Sequence, residues 1–343
     1  MLSQKLLAII QDGFPLVERP YLRLAEMLNC DSKKGAGEKC ANFVVTEQKV
    51  FDDIEKMRAS GVIRRIGGVY DSKKLGFISR LCAGKVPASE NDFSAEHHAQ
   101  TPMEKFAAVV NDEPAITHNY IRSHEYNVWF TVIAENESAI QAVVDRVCAQ
   151  TDLHDVHVLT ATKKYKINTV MGKGAGAPSK NVFASAVRQS PESALTEADR
   201  TRIHIACDDI PHSLTPFKDW GVSCDELRED IAAKRMRRFG AILRHQDAGF
   251  PCNAMVCFML DEGTLANSES AGSLLAKKHY VSHCYERPSF ENFPYNLYAM
   301  MHAQTPEELD GFIKESVALL DNPEYVVLHS LKELKKTSFR FFA

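Results

Sequence analysis

No apolar run in the chain approaches the ~20 residues that a membrane span requires, so a spanning helix is not expected. The opening residues, Met1-Leu2-Ser3-Gln4-Lys5-Leu6-Leu7, lack the basic region, long apolar stretch and cleavage site of a secretory leader. A cytoplasmic protein is the expectation. No CxxC pair occurs among the nine scattered cysteines. The closest spacings, Cys252 to Cys257 and Cys30 to Cys40, are not matched by a second cluster, which argues against a zinc or iron–sulfur site and for reduced, buried thiols. A surplus of positive charge is also missing. Lys and Arg number 41 against 45 Asp and Glu, a net charge of −4, which speaks against a protein whose main work is gripping nucleic acid. What the chain does have is length: 343 residues at 45% hydrophobic content suffice for two or more domains, each with a core.

Taken in order, residues 6–16 carry a helical pattern stopped by Gly13 and Pro15, and residues 21–28 repeat apolar side chains at helical spacing. A polar insertion at 30–46 precedes a third helical segment at 46–59 and the turn Ser60-Gly61. Three short helices followed by Val62-Ile63-Arg64-Arg65-Ile66-Gly67-Gly68-Val69-Tyr70 read as a winged helix-turn-helix with its wing starting at Val62. This head resembles that of the leucine-responsive/asparagine regulator class, in which a small sensing domain follows. Strands at 77–86, 115–124, 126–134 and 156–162, with helices at 101–110 and 136–148, give the ferredoxin-like order βαββαβ. Thr101-Pro102-Met103-Glu104 supplies the cap of the first of those helices.

The glycine-rich segment 172–179 reads as a linker, and beyond it the plan repeats. Met236-Arg237-Arg238-Phe239-Gly240 matches Ile63-Arg64-Arg65-Ile66-Gly67, Ser223 to Glu226 reads as a capping box, and Thr305-Pro306-Glu307-Glu308 opens a last helix before a strand at 325–331. The expected architecture is α+β: a tandem duplication of a winged helix-turn-helix plus a ferredoxin-like domain, folded as a pseudo-dimer. Its boundaries are 1–70 and 71–170 for the first repeat, 171–195 for the linker, and 196–245 (a degenerate head) and 246–343 for the second. The two halves are expected to pair with each other, with further homo-oligomerisation left open.

The stretch around which the chain is organised is Thr117-His118-Asn119-Tyr120-Ile121-Arg122-Ser123-His124, repeated more weakly as Ser282-His283-Cys284-Tyr285-Glu286-Arg287. On an extended strand His118, Tyr120, Arg122 and His124 share one face, as do His283, Tyr285 and Arg287. Arg-Arg-Ile-Gly after a helix-turn-helix, Thr-His-Asn-Tyr-x-Arg-x-His-x-Tyr-Asn-x-Trp-Phe-Thr, Arg-Arg-Phe-Gly-Ala-x-Leu-Arg-His, and Ser-His-Cys-Tyr-x-Arg-Pro with Pro-Tyr-Asn-Leu-Tyr together resemble the siroheme decarboxylase family, whose homologous partners occur separately or fused. The resemblance implies removal of carboxyl groups from two ring acetates of sirohaem, leaving methyls, in haem biosynthesis. It implies no separate organic cofactor, the iron being carried by the substrate.

A flat macrocycle ringed by carboxylates needs a dry cleft with cations at its rim, and arginine binds carboxylate bidentately while staying charged. The candidates are Arg64, Arg65, Arg122, Arg237, Arg238, Arg244 and Arg287, with His245 beside them. Each decarboxylation also leaves a carbon that must take up a proton, and histidine suits that task near neutral pH. His118 and His283 are the candidate donors, with Tyr120, Tyr285 and His124 in support; His302 is the candidate ligand to a haem iron. Two rivals stand beside this reading, a ligand-sensing transcription regulator and a non-catalytic haem sensor. Against the first, the segments 46–60 and 223–235 are each net negative by one, where a groove-entering helix is basic.

Overall fold

In a computed structural model of the chain, residues 2–34, 44–87, 100–167, 195–218, 220–243, 251–266, 270–337 and 339–342 are described. The expected linker at 171–195 except its last residue, the centre of the polar insertion, Arg244 and His245 lie outside them. The chain divides into two units that cut across its order. One gathers Met1–Leu75, Gln189–Ala248 and Arg340–Ala343, and the other Gly76–Arg188 and Gly249–Phe339.

The first unit holds both heads. Helices α1 (Leu2–Asp12), α2 (Pro20–Lys34) and α3 (Glu47–Ala59) are followed by strand β1 (Ile63–Tyr70). Helix α3 starts where the Thr46 hydroxyl accepts from the Lys49 amide, and Gly61 leaves it in the left-handed region at φ 79°. In the second repeat, α6 (Glu197–Ala206) and α7 (Cys224–Ala232) each open on a capping box, Thr196 with Asp199 and Ser223 with Glu226. No counterpart of α2 lies between them among the described residues. Among the described residues the second head therefore has no middle helix.

The wings of the two repeats pair with each other. Strand β1 pairs antiparallel with β7 (Met236–Leu243), its equivalent in the other repeat, and Gly67 stands opposite Gly240. Close backbone approach requires glycine at both places: a Cβ on Gly240 would lie 2.6 Å from the Ile10 carbonyl oxygen, and one on Gly67 would collide with the Asp208 carbonyl oxygen.

The second unit holds both ferredoxin-like domains. The first runs β2 (Ile78–Gly84), α4 (Pro102–Asp112), β3 (Ile116–Arg122), β4 (Val128–Ala134), α5 (Glu137–Thr151) and β5 (Val156–Leu159), and continues as β6 (Lys163–Ile167). The second runs β8 (Cys252–Phe258), short helices α8 (Glu262–Ala266) and α9 (Ala271–Ala276), β9 (Val281–Glu286), β10 (Leu297–Ala303), α10 (Pro306–Leu319) and β11 (Tyr325–Lys336). All the strands join one sheet in the order β5-β2-β4-β3-β11-β8-β10-β9-β6. Each repeat's last strand crosses to the other: the far half of β11 pairs with β3, and β6 pairs with β9. The edge strands β5 and β6 are successive pieces of one stretch, so the sheet closes on itself.

Helices cover one face of this sheet. Phe106, Phe130, Val132 and Ile140 fill the cluster of the first repeat, and Phe258, Leu275, Leu297 and Ile313 that of the second. Each such buried side chain is worth about 1.5–3 kcal/mol, so these two clusters carry the stability of the unit. The opposite, inner face holds Trp129, Leu159, Cys257, Phe293, Tyr298 and Leu328. It is here that polar side chains are interleaved with the apolar ones.

Candidate functional site

Both strips lie on the inner face, and the same irregularity puts them there. On β3, Ile116 pairs with Val132 and His118 with Thr131, so Thr117 is an extra residue. On β9, Val281 pairs with Met301 and His283 with Met300, so Ser282 is extra. A bulge of one residue turns every following side chain to the other face. Ile116 and Val281 therefore face the helices, while His118 and Tyr120, like His283 and Tyr285, face inward with Trp129 and Tyr298.

The bulged residue also holds the histidine. Thr117 Oγ1 lies 2.9 Å from His118 Nδ1, and Ser282 Oγ lies 2.9 Å from His283 Nδ1. A hydrogen bond at Nδ1 fixes the ring and its tautomer. Both hydroxyl residues are buried and both histidines half-buried, so each ring is anchored from within and reaches outward.

Next along each strip come a tyrosine and an arginine in contact. The Arg122 guanidinium lies 5.2 Å from the centre of the Tyr120 ring, and that of Arg287 lies 5.1 Å from Tyr285. Both arginines are buried, at 5% and 9% exposure, and each reaches the last strand of the other repeat. Arg122 donates to the Leu328 carbonyl at 3.1 Å and to Ser330 Oγ at 2.9 Å, and Arg287 to the Leu159 carbonyl. None of these partners is a carboxylate, and Nε of both arginines has no hydrogen-bond partner. Burial pulls the Arg122 guanidinium down to about 10, with Tyr120 and Cys257 opposing it, and lowers Arg287 in the same sense. A buried cation without a counter-ion is costly, and an arriving carboxylate would remove that cost.

The two strips are not identical. In the second repeat, Ser282 Oγ also lies 2.8 Å from His302 Nε2, so one hydroxyl joins two histidines. Ile133 holds the place of His302 in the first repeat, since β4 and β10 align with Trp129 on Tyr298. Across each strip stands a strand from the other repeat: Lys164 of β6 pairs with Tyr285, whereas Glu333 of β11 pairs with Tyr120.

The remaining candidates fall elsewhere. His124 lies beyond the end of β3, in the turn, stacked on Tyr126 at 6.1 Å with Nδ1 accepting from the Tyr126 amide, so the shared face expected for it is not formed. Arg65 and Arg238 belong to the first unit and donate to main-chain carbonyls: Arg65 to Asp208 at 3.4 Å and Gly68 at 3.2 Å, Arg238 to Gln11 at 2.6 Å and Ala241 at 3.1 Å. These equivalent pairs tie the wings to the ends of α6 and α1. Arg237 is exposed and pairs with Asp71 at 2.9 Å; Arg64 sits half-buried on β1. A cavity of about 450 Å³ in the first unit is lined by Phe14, Leu16, Val17, Met27 and Arg228 and contains no histidine, so it offers no acid for the expected chemistry.

A curated siroheme decarboxylase of Hydrogenobacter thermophilus is 30% identical over 348 aligned residues, covering 99% of this chain and 94% of that protein. The chain belongs to the siroheme decarboxylase family. The siroheme decarboxylase NirDL subunit of Paracoccus denitrificans is 26% identical over 93% of the chain and 90% of its own length. A siroheme decarboxylase alpha subunit of Desulfovibrio desulfuricans is 39% identical over 48% of the chain, as a fusion of two partners requires. Among solved structures, that of the siroheme decarboxylase NirDL covers the whole chain at 28% identity with a TM-score of 0.65, and the same enzyme has been solved with an iron-uroporphyrin III analogue. The AsnC-like ligand-binding domain matches twice, at 74–166 and 247–335, and the siroheme decarboxylase NirDL-like helix-turn-helix domain matches residues 3–34. Thr117 and Ser282 escaped sequence reasoning, although a hydroxyl immediately before each repeated histidine was the signal available.

Proposed function

We propose that the chain is a carboxy-lyase that removes carbon dioxide from two ring acetates of sirohaem, leaving methyl groups, with no separate organic cofactor. The family membership sets the substrate class. The observation that carries the chemistry is the pair of buried arginines, Arg122 and Arg287, which lack a carboxylate partner and each lie against a tyrosine two residues from an anchored histidine. In this reading the arginines accept carboxylates of the macrocycle, and Tyr120 and Tyr285 orient them. His118 or His283 delivers the proton that replaces carbon dioxide. Each loss breaks one carbon–carbon bond, leaves its electron pair on the methylene carbon and consumes one proton. Iron enters and leaves with the substrate.

A regulator that reads DNA fits less well. Two of the three cations of α3 are engaged within the protein, Lys49 with Asp53 and Arg58 with Glu55 and Asp209, which leaves less positive charge to neutralise phosphates. The test of carboxylate anchoring is a spectroscopic titration with sirohaem and with its fully esterified form. Binding of sirohaem alone, weakened in Arg122→Met and in Arg287→Met, is the expected result. Equal binding of the ester would contradict it.

A further inference from the structure

Resting on the decarboxylase reading, we propose that Asn253 is a carboxylate-recognition residue of the tetrapyrrole site, its amide aimed by Ser330 and backed by the charge of Arg122. The three side chains form one chain across the inner face. The Arg122 guanidinium donates to Ser330 Oγ at 2.9 Å, and Ser330 Oγ donates to Asn253 Oδ1 at 2.6 Å. The direction of each link follows from the arginine. A guanidinium only donates, so the hydroxyl oxygen accepts from it and the one hydroxyl proton goes to Asn253. Only the amide oxygen can receive that proton, which turns the amide NH2 away from Ser330. Those two N–H donors are the free end of the chain, since no group among the described residues accepts from them.

The position of that end suits an anion. Arg122 is buried at 5% exposure with no carboxylate against it, whereas Ser330 and Asn253 are half-buried. The chain thus leads from the closed centre of the inner face to a partly open part of it. Hydrogen bonds in a dry interior polarise one another, so a donor at the end of a chain that begins on a cation gains positive character. An anion meets it there without the burial that reaching Arg122 demands. Asn253 stands opposite His302, which shares the Ser282 hydroxyl with His283. From β8 to β9 is two strand spacings, roughly 10 Å, so Asn253 holds a carboxylate other than the one presented to His283.

The first repeat has no such chain. Ala161 takes the place of Ser330, two residues past Leu159 as Ser330 is two past Leu328. Ser79 takes the place of Asn253, opposite Ile133 as Asn253 is opposite His302. Alanine cannot pass on a hydrogen bond from Arg287, which donates to the Leu159 carbonyl. Recognition by an arginine-backed amide is therefore made once in the molecule, and Ser79 is its built-in control.

The test is a spectroscopic titration with sirohaem, then anaerobic decarboxylation at saturating substrate, for Asn253→Asp, Asn253→Ala and Ser79→Asp. Aspartate keeps an oxygen for Ser330 but replaces the donors with negative charge. The dissociation constant should rise by roughly tenfold to a hundredfold in Asn253→Asp, and by less in Asn253→Ala. Turnover at saturation should fall far less than affinity, because Asn253 does not touch the reacting carbon. A structural Asn253 gives the reverse order, since aspartate preserves the bond to Ser330 and alanine loses it. Ser79→Asp should bind as wild type does. The reverse order, wild-type affinity in Asn253→Asp, or an equal loss in Ser79→Asp overturns the proposal. If Asn253→Asp does not fold, wild-type affinity in Asn253→Ala overturns it. A wild-type protein that leaves sirohaem intact refutes the decarboxylase reading instead, so the two failures are distinguishable.

Discussion

At the scale of single residues, the hydroxyl before each strip histidine decides more than the histidine does. Thr117 and Ser282 create the bulges that turn the strips inward, and their oxygens fix Nδ1 of His118 and His283. The repeated His-x-Tyr-x-Arg pattern was legible in the sequence because a strand's period of two groups those side chains. The bulge was not, since an extra residue in one strand is defined only by its partner strand. His124 was misplaced for a related reason: periodicity does not announce that β3 stops at Arg122 and turns. With one of the two histidines delivering the proton, His118→Ala and His283→Ala should differ in severity, the one in the productive strip reducing carbon dioxide release by roughly a hundredfold or more while the other keeps most of it. Equal losses in a steady-state assay would contradict that assignment. The thiols give a second residue-level expectation. Burial pushes those of Cys82 and Cys284 up to about 12 and raises that of Cys257 as well, whereas Cys30 is exposed. Alkylation of the native protein followed by peptide mapping should mark Cys30 and spare these three, because the thiolate is the reactive form; early labelling of Cys257 would show that the inner face opens to solvent.

At the scale of elements, caps were the most legible feature. Thr101, Ser223 and Thr305 each start a helix as read, because capping is a local matter of one side chain and two or three amides. Strand partners are remote, and two of them went unread. No partner was read for the wings, and they pair with each other across the repeats. Strand β11 was expected to stop at 331, yet it continues to Lys336, because the charged run Lys332-Glu333-Leu334-Lys335-Lys336 has no apolar face of its own until it pairs with β3. The wing pairing places a sharp demand on Gly67 and Gly240. Gly67→Ala should cost about 1–3 kcal/mol, as overpacking against a fixed main-chain carbonyl does. Urea unfolding is the measurement, and a loss near zero would mean that β1 and β7 do not approach as closely as described.

At the scale of the whole molecule, the duplication read from offsets in the sequence is realised twice, once in the paired wings and once in the closed sheet. What the offsets could not convey is that each half completes the other: Arg122 is anchored on Leu328 and Arg287 on Leu159, so neither strip is finished by its own repeat. Fusion supplies that partner in a fixed ratio. It also lets the halves diverge, as His302 against Ile133 and Lys164 against Glu333 record. The most direct measurement of the central claim is anaerobic incubation of the purified chain with sirohaem, followed by mass analysis of the extracted tetrapyrrole. Loss of the mass of two carbon dioxides with no added cofactor is the expected result. Sirohaem recovered unchanged from a protein that binds it would contradict the claim and leave a carrier or sensor in its place.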